Sequence, residues 1–165
     1  MKKIIGVILL CAIFGVGAYF GSLYIDKLGK GGEVNLTVTF DDTESYVIPS
    51  VKKMTKEDAL KEWPYIMNLD NTGGGKGLYQ IIITDVDTST LKRDALEYSL
   101  YLEDKEVKTG KLNDIKDNVL YTGEIEGKSK QKYKLYIWVT KEVDEKSVYE
   151  YKLEFNTIKT GGPGF

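Results

Sequence analysis

The sequence predicts an all-β fold: an immunoglobulin-like or jelly-roll β-sandwich with one short helix, preceded by an N-terminal transmembrane or signal helix. Three observations predict it. An uncharged apolar run follows two lysines at the start of the chain, short segments beyond it alternate apolar and polar residues with period two, and only one stretch carries helix-start signals. A length of 165 residues leaves room for one globular domain and a targeting segment. Residues 1–25 read as a signal peptide or signal-anchor helix, 26–33 as a linker, 34–159 as the β-sandwich ectodomain and 160–165 as a flexible tail.

Lys2 and Lys3 precede the run Ile4 to Ile25, whose 22 residues are enough to span ~30 Å of hydrocarbon as a helix. Ile4, Leu9, Leu10, Phe14, Phe20 and Ile25 mark this membrane segment, and the lipid bilayer is its expected partner. The same features describe a secretory signal peptide, with Val16-Gly17-Ala18 as the recognition site and scission between Ala18 and Tyr19. Against cleavage, apolar residues continue through Tyr24 and Ile25 and put aromatics near the outer boundary of a complete span. Lysines ahead of the run favour a cytoplasmic N-terminus. The C-terminal domain is then extracytoplasmic, held at the cell membrane if the segment is retained and secreted to the cell surface if it is cleaved.

Val34 to Phe40 alternates β-branched or apolar residues with polar ones and reads as a strand. If it lies at a sheet edge, Val34, Leu36, Val38 and Phe40 mark the stretch that exchanges or adds strands with a partner. Tyr46 to Ile48 is a short strand stopped by Pro49. Thr55-Lys56-Glu57-Asp58 starts the only clear helix of the ectodomain, which ends before Pro64. Tyr65 to Leu69 and Leu78 to Thr84 read as strands, and the Asn71 to Gly77 stretch as a flexible turn closing them into a hairpin. Further strands follow at Leu96 to Leu102, Val107 to Leu112, Val119 to Ile125, Lys132 to Thr140 and Val148 to Ile158. Tyr133, Leu135, Ile137 and Val139 form the inward face of one, and Tyr149, Tyr151, Leu153 and Phe155 that of the last. Tyr136 and Trp138 interrupt a polar face, where they support the core, cover an edge or meet a partner.

Composition removes most chemistry. A net charge of −2 with interspersed signs supplies no basic stripe for nucleic acid. Arg93 is the single arginine, which takes away bidentate phosphate gripping. The chain has no histidine, so His-dependent triads and HExxH zinc sites are excluded. Its only cysteine, Cys11, lies in the apolar run and leaves the ectodomain without a disulfide or thiolate. No cofactor and no metal site are expected; only a carboxylate pair remains open as catalytic apparatus. Gly73-Gly74-Gly75-Lys76-Gly77 lacks the Ser or Thr of a phosphate-binding loop and leads into a strand. Asp85-Val86-Asp87-Thr88-Ser89-Thr90 lacks the central glycine of a calcium loop, and Asp41-Asp42-Thr43-Glu44 reads as a polar loop.

The order of blocks resembles a known group. Pro64-Tyr65-Ile66-Met67-Asn68-Leu69-Asp70-Asn71-Thr72-Gly73 is followed by Tyr79-Gln80-Ile81-Ile82-Ile83, Leu96-Glu97-Tyr98-Ser99-Leu100 and Lys108-Thr109-Gly110-Lys111-Leu112. Then come Tyr133-Lys134-Leu135-Tyr136-Ile137-Trp138 and Tyr151-Lys152-Leu153-Glu154-Phe155. With Ala18-Tyr19-Phe20 near the end of the signal segment, this pattern is similar to the TasA and camelysin group of Gram-positive envelope proteins. The resemblance implies a non-catalytic cell-surface protein, a structural or assembly subunit related to biofilm-matrix fibre proteins that join neighbours by strand exchange. Camelysin's described metalloprotease activity finds no histidine here to receive it. The alternative is a membrane-tethered monomeric binding module for a glycan, peptide or other envelope partner, with Trp63, Tyr65 and Trp138 as contacts.

Overall fold

The computed structural model describes residues 33–40, 45–48 and 50–158. The membrane segment, the Ala18–Tyr19 junction, Cys11, residues 26–32, the Asp41–Glu44 loop and the 160–165 tail lie outside the described residues. The described fold is mostly β, with two antiparallel sheets and one short helix. In chain order the elements are β1 (Leu36–Phe40), β2 (Ser45–Val47), α1 (Lys56–Ala59), β3 (Tyr65–Asn71), β4 (Gly77–Asp85), β5 (Leu96–Leu102), β6 (Lys105–Lys111), β7 (Val119–Ile125), β8 (Ser129–Val139) and β9 (Glu150–Ile158). Sheet A runs β1-β3-β8-β5-β6 and sheet B runs β2-β9-β4-β7.

The period-two pattern decides which side chains meet between the sheets. Val38 in β1, Tyr65, Met67 and Leu69 in β3, and Tyr133 and Leu135 in β8 turn inward from sheet A. Tyr79, Ile81 and Ile83 in β4 and Tyr151, Leu153 and Phe155 in β9 turn inward from sheet B. The layers touch through rings: Tyr65 lies 6.2 Å from Tyr151 and Tyr79 lies 6.3 Å from Tyr133, both edge-on, which suits the aromatic quadrupole. Burying phenols requires partners for their hydroxyls. Tyr79 bonds to the Tyr133 hydroxyl and donates to Gln131 Oε1 at 2.6 Å, and Tyr149 donates to Asp85 Oδ1 at 2.6 Å. Burial raises the Tyr79 pKa to about 12 and raises those of Tyr133, Tyr149 and Tyr151 as well.

α1 forms where the capping signal stands. Thr55 Oγ1 accepts from the Asp58 amide at 3.2 Å and donates to Asp58 Oδ2 at 3.0 Å. The helix lies on the outer face of sheet A. There Lys56 pairs with Glu106 at 2.5 Å, which together with the Tyr101 and Ser99 hydroxyls holds the Glu106 pKa low.

One expectation is overturned. β3 and β4 do not form a hairpin, because β3 pairs with β1 and β8 while β4 pairs with β7 and β9. Residues 72–76 cross from one sheet to the other, and Asn71 holds the crossing. Its side chain is fully buried. Oδ1 accepts from the Asn35 and Gly73 amides at 3.3 and 3.1 Å, and Nδ2 donates to the Gly75 and Glu126 carbonyls at 2.8 and 3.1 Å. The glycine run is needed for close packing: a Cβ on Gly73 would overlap the Glu33 carbonyl, and one on Gly127 the Gly74 carbonyl. The strand expected from Val34 begins at Leu36, with Asn35 and Val34 packed beside this crossing.

Candidate functional site

Two surfaces carry the residues singled out from the sequence. The first is the free edge of β1. Its pairing with β3 runs without interruption from Leu36↔Asn71 to Phe40↔Met67. The Thr72 amide donates to the Asn35 carbonyl at 2.9 Å, and this fixes the parity of the strand. Thr37 and Thr39 turn their backbone groups towards β3. Leu36, Val38 and Phe40 turn theirs outward, where none meets a partner among the described residues. Their side chains still face the core, so this stretch offers main-chain bonding without losing its own packing.

The other three sheet edges carry recognised guards. β2 is three residues long. β6 presents Lys105, Lys108 and Lys111, and its register with β5 breaks between Leu100 and Tyr101. β7 contains Gly123, whose neighbouring Tyr79 hydroxyl leaves no room for a Cβ, and its register with β4 breaks between Ile81 and Ile82. β1 has five residues, Leu-Thr-Val-Thr-Phe, with no charge, proline, glycine or bulge.

The second surface lies at the opposite end of β3, where residues 50–63 pass over the end of β8. Here Tyr46, Met54, Trp63 and Tyr136 line a shallow open groove enclosing about 10 Å³, the room of a single water. The three proposed contact residues part company. Trp63 is 86% exposed, whereas Tyr65 is 3% and Trp138 2% exposed. Tyr65 faces the core in step with Met67 and Leu69, and Trp138 is sealed under α1 on the outer face of sheet A. A partner arriving from solution therefore reaches Trp63 and not the other two.

The tempting motifs have structural uses. Asp85 takes Arg93 Nε at 2.8 and 3.0 Å together with the Tyr149 hydroxyl, while Arg93 also donates to the Ile83 carbonyl at 3.0 Å. Ser89 Oγ donates to the Glu150 carbonyl at 2.6 Å and accepts its amide at 2.8 Å, which makes residues 86–90 a capped turn. Lys76, the lysine of the glycine run, pairs with Glu124 and Glu126. Among the described residues no three metal-ligating side chains gather. No described helix is long and apolar enough to cross a membrane.

Neither the family models, the curated proteins nor the solved structures match this chain. Sequence reasoning read Val34 to Phe40 as a strand and left its place in a sheet open, and it missed Asn71, whose one signal was an Asn standing immediately before a Thr-Gly turn.

Proposed function

We propose that this chain is a non-catalytic cell-envelope or surface protein, a structural subunit that self-associates by strand addition along β1. One observation carries the reading: of the four strands that end the two described sheets, β1 is the one without a guard against pairing. An extended partner gains main-chain hydrogen bonds at Leu36, Val38 and Phe40 without disturbing the pairing to β3. Apart from the β5–β6 hairpin within sheet A, β2 to β9 alternate between the sheets, and this order, with β2 beside β9 and β3 beside β8, supports a jelly-roll topology with β1 added at one edge. The likeness of the sequence blocks to the TasA and camelysin group points the same way. The apolar run Ile4–Ile25 supports an extracytoplasmic domain that is either tethered to the bilayer or released at the surface.

The test adds the missing guards. Thr37→Lys with Thr39→Lys places two charges on the outer face of β1 and leaves its core side chains in place. Light scattering after size exclusion is expected to show concentration-dependent association for the parent chain and at least a tenfold weaker one for the double variant. Equal association of the two would sink the strand-addition reading.

A second reading, a tethered monomeric binding module for a glycan or peptide, is favoured by Trp63 standing 86% exposed beside the groove. It predicts a concentration-independent monomer.

A further inference from the structure

Sheet B carries a second open stretch on the same flank as β1. β2 pairs with β9 only through Ser45–Val47, against Lys152 to Glu150, whereas β9 continues to Ile158. The Ile48 amide donates to the Tyr149 carbonyl at 3.1 Å, so the odd-numbered residues of β9 turn their backbone groups towards the β2 side. Beyond the end of β2, Leu153, Phe155 and Thr157 therefore present donor and acceptor pairs that meet no partner among the described residues. Their side of the ladder is as open as that of Leu36, Val38 and Phe40.

The two stretches also match in height. The Phe40 and Phe155 rings lie 6.4 Å apart across the core. At the glycine-rich end, Leu36 approaches Gly77, next to the Leu78 that pairs with Ile158. β1 starts at that end and β9 finishes there, so the two strands run in opposite directions.

We infer that this flank joins two copies of the chain about a two-fold axis parallel to the strands, each β1 pairing antiparallel with the open half of the other copy's β9. Such an axis brings sheet A of one copy into line with sheet B of the other. It preserves height and strand direction, so each uncovered stretch meets the other at its own level and with antiparallel polarity. Because the contact is reciprocal, both open stretches of both copies are covered at once and the assembly closes. The heights set Phe40 opposite Phe155 of the partner subunit and Val38 opposite Thr157 of the partner subunit, each as a hydrogen-bonded pair. Thr39 and Asn156 of the partner subunit then form a close non-hydrogen-bonded pair with both side chains on the outer surface. The inference rests on the assembly reading above and adds to it the partner strand and the symmetry.

The experiment is an oxidative cross-link in the full-length chain carrying Cys11→Ser, with Thr39→Cys and Asn156→Cys combined. Within one chain these positions lie on the outer faces of opposite sheets, about 10 Å or more apart, beyond disulfide reach. The double variant is expected to give a reducible dimer on a non-reducing gel, and neither single variant is. Circular dichroism matching the parent confirms that the surface substitutions leave the fold intact. Sedimentation of the Cys11→Ser chain runs in parallel. Association without the cross-link overturns the reciprocal pairing and leaves strand addition standing. A monomer at every concentration overturns both.

Discussion

Replacing Asn71 by Leu tests how the crossing between the sheets is held. Leucine fills a similar volume, so the change removes hydrogen bonds without opening a large void. Four backbone groups lose their partner: the Asn35 and Gly73 amides and the Gly75 and Glu126 carbonyls. Each such bond contributes about 1 kcal/mol net, and a group left buried and unsatisfied costs about 1–3 kcal/mol. Water reaches some of the four, because two of them belong to a partly exposed turn, which puts the loss at about 3–4 kcal/mol. That is a large part of the roughly 5–15 kcal/mol of a typical domain. With a urea slope of about 2 kcal/mol per molar, the unfolding midpoint should fall by about 1.5–2 M. The assay is urea unfolding followed by circular dichroism and tryptophan emission, with coincidence of the two probes checking two-state behaviour. Asn71→Asp keeps an acceptor for the two amides but sets an oxygen against the two carbonyls, and a comparable loss is expected. A fall below about 1 kcal/mol for Asn71→Leu would refute the reasoning, since glycine packing alone would then hold the crossing.

The buried phenols predict an alkaline limit. Tyr79, with its pKa raised to about 12, stays protonated in the folded chain while an unfolded tyrosine ionises near 10. Its stabilising contribution is therefore whole below pH 10 and is lost as pH rises towards 12, with Tyr133, Tyr149 and Tyr151 acting in the same direction. Tyrosinate absorbance should rise together with the loss of sheet signal; ionisation of every tyrosine with the fold intact would contradict this. The two tryptophans predict a split emission. Trp63→Phe should change stability by less than about 0.5 kcal/mol and leave a blue-shifted signal that iodide does not quench, whereas Trp138→Ala should cost about 3–5 kcal/mol. Equal quenching of both indoles would be inconsistent with Trp138 lying under α1.

The strands were legible because alternation is a local signal. Tyr133, Leu135 and Val139 on β8 and Tyr151, Leu153 and Phe155 on β9 face inward as their period-two pattern requires. Membership of a sheet is not local. Nothing in Asn71 to Gly77 distinguishes a hairpin turn from a crossing between layers, since both need glycine, and the difference lies in the distant Asn35 and Glu126 that Asn71 binds. Tyr65 illustrates a neglected signal: it stands in step with Met67 and Leu69, which already implies an inward side chain. Trp138 stands on the polar face of its strand, and its burial depends on a helix that begins some eighty residues earlier. The open half of β9 was beyond local reading too, because it follows from how little of β9 the short β2 covers.

The position of β9 also sets an order of events during synthesis. It lies between β2 and β4, and it is the only strand joining them within sheet B. Until Glu150–Ile158 has emerged, β2 has no ladder to join and one face of the tyrosine-rich interior stays open. Closure therefore waits for the last part of the chain and for contacts between residues about a hundred positions apart, such as Tyr46 with Tyr151. High contact order of this kind makes folding slow. A chain stopped before Tyr149 should therefore stay sensitive to protease, however complete sheet A has become.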